Sequence, residues 1–532
     1  MLPSFKLSRH FIAAAALAFS AAGILPTIAA EPPANDIHAA KAAKTPAKPR
    51  AAFDNNLILN SEKFKYVEER ILATTVREGI TSEKLRAAAV EGINKYFDEL
   101  PAGKKPDAAD LETAALQNML SSLSPHDDYM DKKQAKKFSQ MMSGNFAGVG
   151  VVLDKKTHEA HKHFRIEKPI AKSPAERAGI KAGDIIKEVK GANDSRWRKL
   201  DGLSFEDGIN LIGGESGTKV DLKILRDGNL IDFSVTRASM KEDVVNYKML
   251  EGGIAHIYVA TFTSNVTADV RKAVAQAKAD AQLDTAIAAN GGLKGVILDL
   301  TFDGGGSLNE SVRMVDDFLD KEGPVVTQQG RLDEFSDRHA ATHGDIINGL
   351  PMVVLVNELS ASASEIVAGA FQDHNRATII GRDTYGKGTV QMTYPLPDGT
   401  IMKNTTAIFK RPSGHSNQWV GVKPDVLVET LNADYEKMSA EIKTEKSLPN
   451  SIRNDHGFEA EKDKTKAVCS PVRRGIKIEE AGTDKNIFNE ASGKLNPFIA
   501  CARDFILKQT NPAYTPKFTN TVPKPAAPTL TN

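Results

Sequence analysis

Residues 353–391, VVLVNELSASASEIVAGAFQDHNRATIIGRDTYGKGTVQ, leave the backbone few choices. The β-branched run Val353, Val354, Leu355 and Val356 is long enough for a buried strand and too short for a buried helix, and it breaks at Asn357. The small, hydroxyl-rich Ser360-Ala361-Ser362-Ala363-Ser364 comes next, and Glu365, Ile366, Val367, Ala368, Ala370 and Phe371 then suit a helix. A strand that turns straight into a helix is the unit of an α/β fold. The serines fall at the helix N-terminus, where unpaired N–H groups and the positive end of the dipole favour a developing negative charge. A second short strand, residues 377–381, leads to Gly386-Lys387-Gly388, whose glycines free the backbone to bring the amine close to another segment.

A serine facing a lysine can be a nucleophile and its base. The hydroxyl must lose its proton to a neighbour, and a free lysine, with a pKa of about 10.4, is already protonated near pH 7. Burial penalises the ammonium, so a lysine in an apolar site can fall to roughly 7 to 8 and act as general base. The plainer alternative is that Ser360, Ser362 and Ser364 cap a helix and Lys387 decorates a loop. Residue types alone do not choose among the three serines.

The stretch as a whole resembles the carboxy-terminal processing (tail-specific) protease family, whose pattern is Ser-Ala-Ser-Ala-Ser-Glu after a strand, a helix ending in Gln-Asp, and Gly-Lys-Gly-x-Val-Gln. All of it is present, at residues 360–365, Gln372-Asp373 and 386–391. The resemblance implies that the second serine, 25 positions before the lysine, is the nucleophile, which selects Ser362. It makes Lys387 the base and Gln391 the residue that orients the amine. Ala363 N–H becomes half of the oxyanion hole, and Glu365 and Asp373 supporting structure. The other half would come from Gly305 or Gly306 in Thr301-Phe302-Asp303-Gly304-Gly305-Gly306, which follows the strand-like 295–300. There the family usually carries Asp-Leu-Arg-x-Asn-x-Gly-Gly; Thr301 and Asp303 depart from it, which bears on loop geometry and not on nucleophile or base. Arg411-Pro412-Ser413-Gly414 and Gly421-Val422-Lys423-Pro424-Asp425 also match, so the likeness covers roughly residues 60 to 430.

The chain opens with Lys6 and Arg9, an apolar run at 11–25 and small residues ending Ile28-Ala29-Ala30, the layout of a cleavable signal peptide over residues 1–30. A run of about 15 is shorter than the roughly 20 residues a membrane-spanning helix needs. Export follows, most simply to a bacterial periplasm. Without the leader the net charge is −1, so nothing marks a nucleic-acid binder. Residues 31–52, rich in Ala, Pro and Lys, read as a flexible linker. Residues 53–143 read as helices, with Phe64, Val67, Ile71, then Leu85, Ala89, Ile93, then Leu116, Leu120, Leu123 at helical spacing. Ser124-Pro125-His126-Asp127-Asp128-Tyr129 resembles a family segment and is read as a structural turn.

Residues 144–238 are similar to a PDZ domain of this family, by Phe146-Ala147-Gly148-Val149-Gly150-Val151 and Ser173-Pro174-Ala175-Glu176-Arg177-Ala178-Gly179. Successive N–H groups at Gly148, Val149, Gly150 and Val151 would hold a terminal carboxylate, and the strand edge beside them would accept the peptide. His158, His161 and His163 lack metal-site spacing and fall where a hairpin loop belongs. Ser216-Gly217-Thr218-Lys219 matches a serine acylase motif by letters only; glycines before an alternating strand make it a turn. Residues 239–430 resume α/β alternation as the protease core. Residues 431–509 are charged and read as helical, 510–532 as a disordered tail. The only cysteines, Cys469 and Cys501, permit one disulfide stapling a small C-terminal subdomain.

The expected fold class is α+β multidomain: N-terminal helical region, PDZ domain, α/β crotonase-like protease core and helical C-terminal region. The expected function is an exported serine endopeptidase that recognises protein C-termini and cleaves with a Ser/Lys dyad. No metal or organic cofactor is implied. Its partners would be proteins or peptides with free C-termini, and the family leaves open an adaptor lipoprotein and a homo-oligomer through the N-terminal helices. The rival readings are a noncatalytic peptide-binding PDZ scaffold and a crotonase-like acyl-CoA enzyme. Intact Ser362, Lys387 and Gln391 oppose the first, and export with a PDZ domain the second.

Overall fold

Uninterrupted apolar runs belong in sheets covered on both faces, because no alternating residue is left to meet water. Gly295–Asp299 and Met352–Val356 are such runs, and every residue of both is buried. The computed structural model describes residues 53–101, 103–192, 194–342, 344–429, 433–453, 467–471, 497–515 and 518–521. In it the two strands pair in parallel, Val296 opposite Met352 and Leu298 opposite Val354, at the centre of an eight-stranded sheet. The strand order is Val245–Leu250, Ile254–Val259, Gly295–Asp299, Met352–Val356, Thr378–Gly381, Val426–Val428, Ala467–Pro471 and Phe518–Thr521. The outermost pairing at each end is antiparallel and those between are parallel. The architecture is mixed α/β.

The last two strands depart from the sequence expectation of a helical segment followed by a disordered tail. Ala467–Pro471 extends the core sheet beside Val426–Val428, and Phe518–Thr521 pairs with it in turn. The reason is the edge: Val426–Val428 would otherwise present unpaired N–H and C=O groups. Helix Pro497–Thr510 buries Phe498, Ile499, Cys501, Ala502 and Ile506 in one core with Ile297, Val353, Leu355, Ile380 and Val426. Cys469 and Cys501 form a disulfide that joins this helix to the added strand. The staple therefore closes the main sheet and not a separate subdomain.

A second, antiparallel sheet is built on Ile401–Lys410, which pairs with Asp128–Met130, Gly323–Gly330 and Thr389–Pro395; Asp337–Ala341 continues it. Three N-terminal helices lie with it. Glu62–Thr74, Ser82–Glu99 and Ala108–Ser121 are each started by a side chain that accepts from a backbone N–H: Ser61 from Phe64, Thr81 from Lys84, Asp107 from Ala109. Their apolar faces share a core with Tyr129 of Asp128–Met130 and Met402 of Ile401–Lys410. This contact seats the turn at 124–127 beside the second sheet.

Ser139–Val244 is a separate compact unit that contains the segment 144–238. Its antiparallel sheet runs Val151–Leu153, Phe164–Pro169, Ile185–Gly191, Lys219–Arg226 and Asn229–Thr236, with Arg198–Lys199 beside the third strand. Asn145–Gly148 pairs with Ala238–Lys241 in a two-stranded ribbon, which brings the ends of the unit together. Between Val151–Leu153 and Phe164–Pro169 the expected hairpin loop is a helix, Lys155–His161. Asp154 accepts from Thr157 N to start it, and Lys162 at φ 56° ends it. His158 packs on the rings of Phe164 and Phe205 and bonds Leu203 O. At 215–218 the chain makes a turn, Thr218 N donating to Glu215 O, before Lys219–Arg226 begins.

The leader at 1–30, the linker at 31–52 and residues 522–532 lie outside the described residues. Among the described residues no helix is long and apolar enough to cross a membrane.

Candidate active site

Where Met352–Val356 ends, Asn357 is wholly buried and ties the turn down. Its Oδ1 accepts from Phe302 N (2.9 Å), and its own N donates to Ser360 Oγ (2.9 Å). Ser360 Oγ in turn donates to Leu300 O (2.8 Å), and Ser364 Oγ donates to Asp303 O (2.9 Å). Two of the three serines are thus spent on holding the loop. Ser362 is not: its hydroxyl holds no part of the loop, facing only the backbone of Glu365 in a capping box at the start of its own helix, and it stays half-buried. Its backbone sits at φ 56°, ψ −111°, a left-handed conformation that costs a non-glycine residue about 1–3 kcal/mol. The surrounding bonds hold that strain, and helix Ala363–Asp373 starts immediately after it.

The glycine loop after Gly295–Asp299 abuts this turn. A Cβ on Gly305, at φ 97°, would lie 2.7 Å from Ala361 O and 2.9 Å from both Ala363 N and Ser362 Cβ. Only glycine keeps the space above Ala363 N–H clear. Gly305 N donates to Asp303 Oδ1 (2.8 Å), so of Gly305 and Gly306 the latter retains an uncommitted N–H among the described residues. Asp303 is fully buried, and burial pushes its carboxyl well above the ordinary range. Its Oδ1 takes the Gly305 N–H in the place of the amide expected there, so the departure in sequence leaves the loop tied. Thr301 is likewise absorbed locally, its N and Oγ1 donating to Asp299 Oδ1 at 3.0 and 2.6 Å.

Glu365, the third residue of the helix, couples the serine to the lysine. Its Oε2 accepts from Ser362 N (2.8 Å) and Lys387 N (2.9 Å), and its Oε1 from Gly386 N (2.8 Å) and Thr384 Oγ1 (2.5 Å). The backbone nitrogens of Ser362 and Lys387 therefore converge on a single oxygen atom. Burial outweighs the four donors and pushes this carboxyl up to about 7. At Lys387, burial and then the like charge of Lys403 push the amine down to about 8, against the pull of Glu445, Glu365 and Asp127. Among the described residues no hydrogen bond or ion pair reaches Lys387 Nζ, and none joins it to Ser362 Oγ. At its far end the helix is anchored by Asp373, which receives both Arg411 Nε and a terminal guanidinium nitrogen in a buried pair.

Gln391 lies at a bulge in Thr389–Pro395 and spends both N–H groups of its amide, on Thr389 Oγ1 (2.9 Å) and Thr405 Oγ1 (3.2 Å). The contact with the Lys387 amine expected from sequence is not formed; what remains of Gln391 for such a contact is Oε1. Thr405 is itself fixed by Asp127 Oδ1, which accepts from its N and Oγ1, both at 2.6 Å. The segment at 124–127 is a turn in backbone terms, Asp127 N donating to Ser124 O, yet its side chains reach the site. His126 Nε2 lies 2.7 Å from Glu445 Oε2, and burial pushes the imidazole down to about 4, so it is neutral near pH 7. His126 and Asp127 were read from sequence as a structural turn only, and Thr405, Gln418 and Glu445 were not singled out. The run of His and Asp beside Pro125 was the one signal that could have found the first two.

In the separate unit, Val149 and Gly150 form the loop between Asn145–Gly148 and Val151–Leu153, and Gly150 takes φ 82°. Their carbonyls accept from Ala175 N and Ile170 N, while among the described residues their own N–H groups donate to nothing. Val151–Leu153 is the edge strand of its sheet.

Residues 253–428 match the model of peptidase family S41. Over 326 residues the chain is 36% identical to a carboxy-terminal-processing protease of Bartonella bacilliformis, covering 61% of this chain and 71% of that one. The chain belongs to peptidase family S41. It is a serine peptidase by that membership. A probable CtpA-like serine protease of Staphylococcus aureus is 33% identical over 332 residues, and the match spans 62% of either chain. Among solved structures, a photosystem II D1 C-terminal processing protease aligns over 76% of this chain and 99% of its own at 24% identity, with a TM-score of 0.39. At that score the likeness adds nothing to the family assignment. The S41 match spans the central strands, the glycine loop, helix Ala363–Asp373 and Lys387; it stops before Glu445.

Proposed function

We propose that this S41 chain is an exported endopeptidase that captures the C-terminal tails of proteins and cleaves them with Ser362 and Lys387. The observation that carries the reading is the shared carboxylate: Glu365 Oε2 holds the backbone N–H of both residues, which sets the backbones of nucleophile and base side by side. Ser362 Oγ attacks the scissile carbonyl carbon and passes its proton to neutral Lys387 Nζ. Gln391 Oε1, left over once the amide nitrogen is engaged, is the acceptor that steers the resulting ammonium. The carbonyl oxygen, now an anion, is met by the N–H groups of Ala363 and Gly306, each worth roughly 3 to 4 kcal/mol in comparable sites. The ammonium returns its proton to the departing amine, and water then hydrolyses the acyl-enzyme by the same route.

The unit Ser139–Val244 is read as the tail-binding PDZ domain. Free N–H groups at Val149 and Gly150 suit a terminal carboxylate, and the edge strand Val151–Leu153 can add a peptide strand. Export to the periplasm rests on the leader-like residues 1–30.

The test is incubation of the protein lacking residues 1–30 with an unfolded substrate that ends in an apolar or a charged tail. Cleavage of the apolar-tailed substrate, lost in Ser362→Ala with tail binding retained, is the expected result. A binding scaffold would cut neither substrate. Because Asn145–Gly148 and Ala238–Lys241 are paired and Glu242 N donates to Gly144 O (2.9 Å), residues 145–241 can be excised with the ends already adjacent. That deletion is expected to lower kcat/KM on tailed substrates at least tenfold and to spare a short peptide.

A further inference from the structure

The segment beyond the family match contributes Glu445, a carboxylate with no exposed surface, to the neighbourhood of the lysine loop. Glu445 N donates to Tyr385 O (3.2 Å), two residues before Lys387. Its Oε1 accepts from Gln418 Nε2 (3.0 Å) and Ser451 Oγ (3.1 Å), and its Oε2 faces His126 Nε2 (2.7 Å). Gln418, also wholly buried, turns its Oε1 to Gly388 N (2.7 Å) and its second N–H to Ile452 O (2.9 Å). The N–H groups of Gly386, Lys387 and Gly388 are thus all taken, the first two by Glu365 and the third by Gln418. An amide can present either end; the carboxylate at its nitrogen decides that Gln418 offers oxygen to Gly388.

We propose that Glu445 is a positioning residue for Lys387: it orients Gln418, which clamps the backbone after the lysine, and it places a negative charge against the lysine loop. This inference rests on the Ser362/Lys387 reading. The charge is present at working pH. Burial opposes it, but the hydrogen bonds from His126 and Gln418 and the charge of Lys387 outweigh burial and hold the Glu445 carboxyl below its ordinary value. The other groups facing Lys387 are Glu365 and Asp127, which favour the ammonium, and Lys403 and His126, of which Lys403 disfavours it and His126 is neutral. Tyr385, the remaining titratable neighbour of Glu445, is buried and pushed up beyond the working range. Glu445 accordingly keeps Lys387 from falling further, so the amine can still take a proton from Ser362 and give it back.

Glu445→Gln preserves size and can bond Gln418 through its oxygen and His126 through its nitrogen, once the imidazole changes tautomer. Removing the charge destabilises the ammonium. The acid limb of kcat against pH is therefore expected to move down by roughly one unit, with KM within twofold. Glu445→Asp keeps the charge but shortens the arm to Gln418, so the limb should stay in place while kcat falls severalfold. A purely structural role would lower the melting temperature and leave the limb unmoved in both variants, and that result overturns the proposal. Should Glu445→Gln not fold, Gln418→Leu decides: a tenfold or greater loss in kcat at constant KM supports the clamp, and unchanged kcat sinks it. Equal turnover by wild type and Ser362→Ala sinks the Ser/Lys reading and this proposal together. Ser362-dependent turnover with an unshifted limb sinks this proposal alone.

Discussion

The two halves of the site are built differently. The serine half is largely local: Asn357, Ser360, Ser362, Ser364 and Glu365 lie within nine residues, propped by the glycine loop at 300–306 and by the segment 384–387. The lysine half is assembled from afar. Gly388 is held by Gln418, Gln418 by Glu445, Glu445 by His126, and Gln391 by a threonine that Asp127 fixes from 278 positions away. A nucleophile needs a strained turn at one point, which neighbouring residues can supply. A base needs its proton affinity tuned, and tuning requires burial and several charges, which only a folded assembly brings together.

If that division is right, the largest effect belongs to the serine that holds no part of the loop. Ser362→Ala should lower kcat by roughly 10⁴-fold or more without moving the melting temperature. Ser360→Ala is the control: losing its bonds to Leu300 O and Asn357 N should cost about 1–3 kcal/mol of stability, visible in denaturant melts. Equal kinetic losses in the two variants would break the distinction between them. Next comes Lys387→Met, expected to lose about 10²- to 10⁴-fold in kcat. In the wild type the amine must be neutral to act, so kcat should rise with pH through about 8 and fall away below it. Lys403→Met removes the like charge, which should raise the amine and move that acid limb upward; a limb that moves downward would show that the charges around the amine have been misread.

Glu365→Gln tests the joint between the halves. It leaves either the N–H groups of Ser362 and Lys387 or that of Gly386 without an acceptor, and a fall of roughly ten- to a hundredfold in kcat is expected with KM little changed. The smallest effect on catalysis should come from Cys469→Ser with Cys501→Ser. The disulfide joins helix Pro497–Thr510 to an outer strand, so its loss should cost about 2–4 kcal/mol of stability while turnover at 25 °C holds. A matching loss of turnover would mean that the C-terminal strands bear on the site itself.

What could be read in the one-dimensional chain follows the same line. The strand at 352–356, the turn and the helix at 363–373 were legible because apolar runs and helix starts are encoded by adjacent residues. The helical faces carrying Phe64, Leu85 and Leu116 were legible for the same reason. Ala467–Pro471 and Phe518–Thr521 were not, because short strands with little periodicity gain their pairing from the sheet edge they meet. Nor was the helix at Lys155–His161, which depends on one cap and one left-handed residue. Gln391 was picked out by its place after the lysine, but its direction is set by Thr389 and Thr405.

Sequence by itself determined which atoms could react: a hydroxyl at the start of a buried helix and an amine between two glycines. Tertiary structure alone decided which glycine N–H is left over and how strongly the amine holds its proton. Those are properties of distance and burial, and residues 126, 365, 418 and 445 acquire them only when the chain has folded around them.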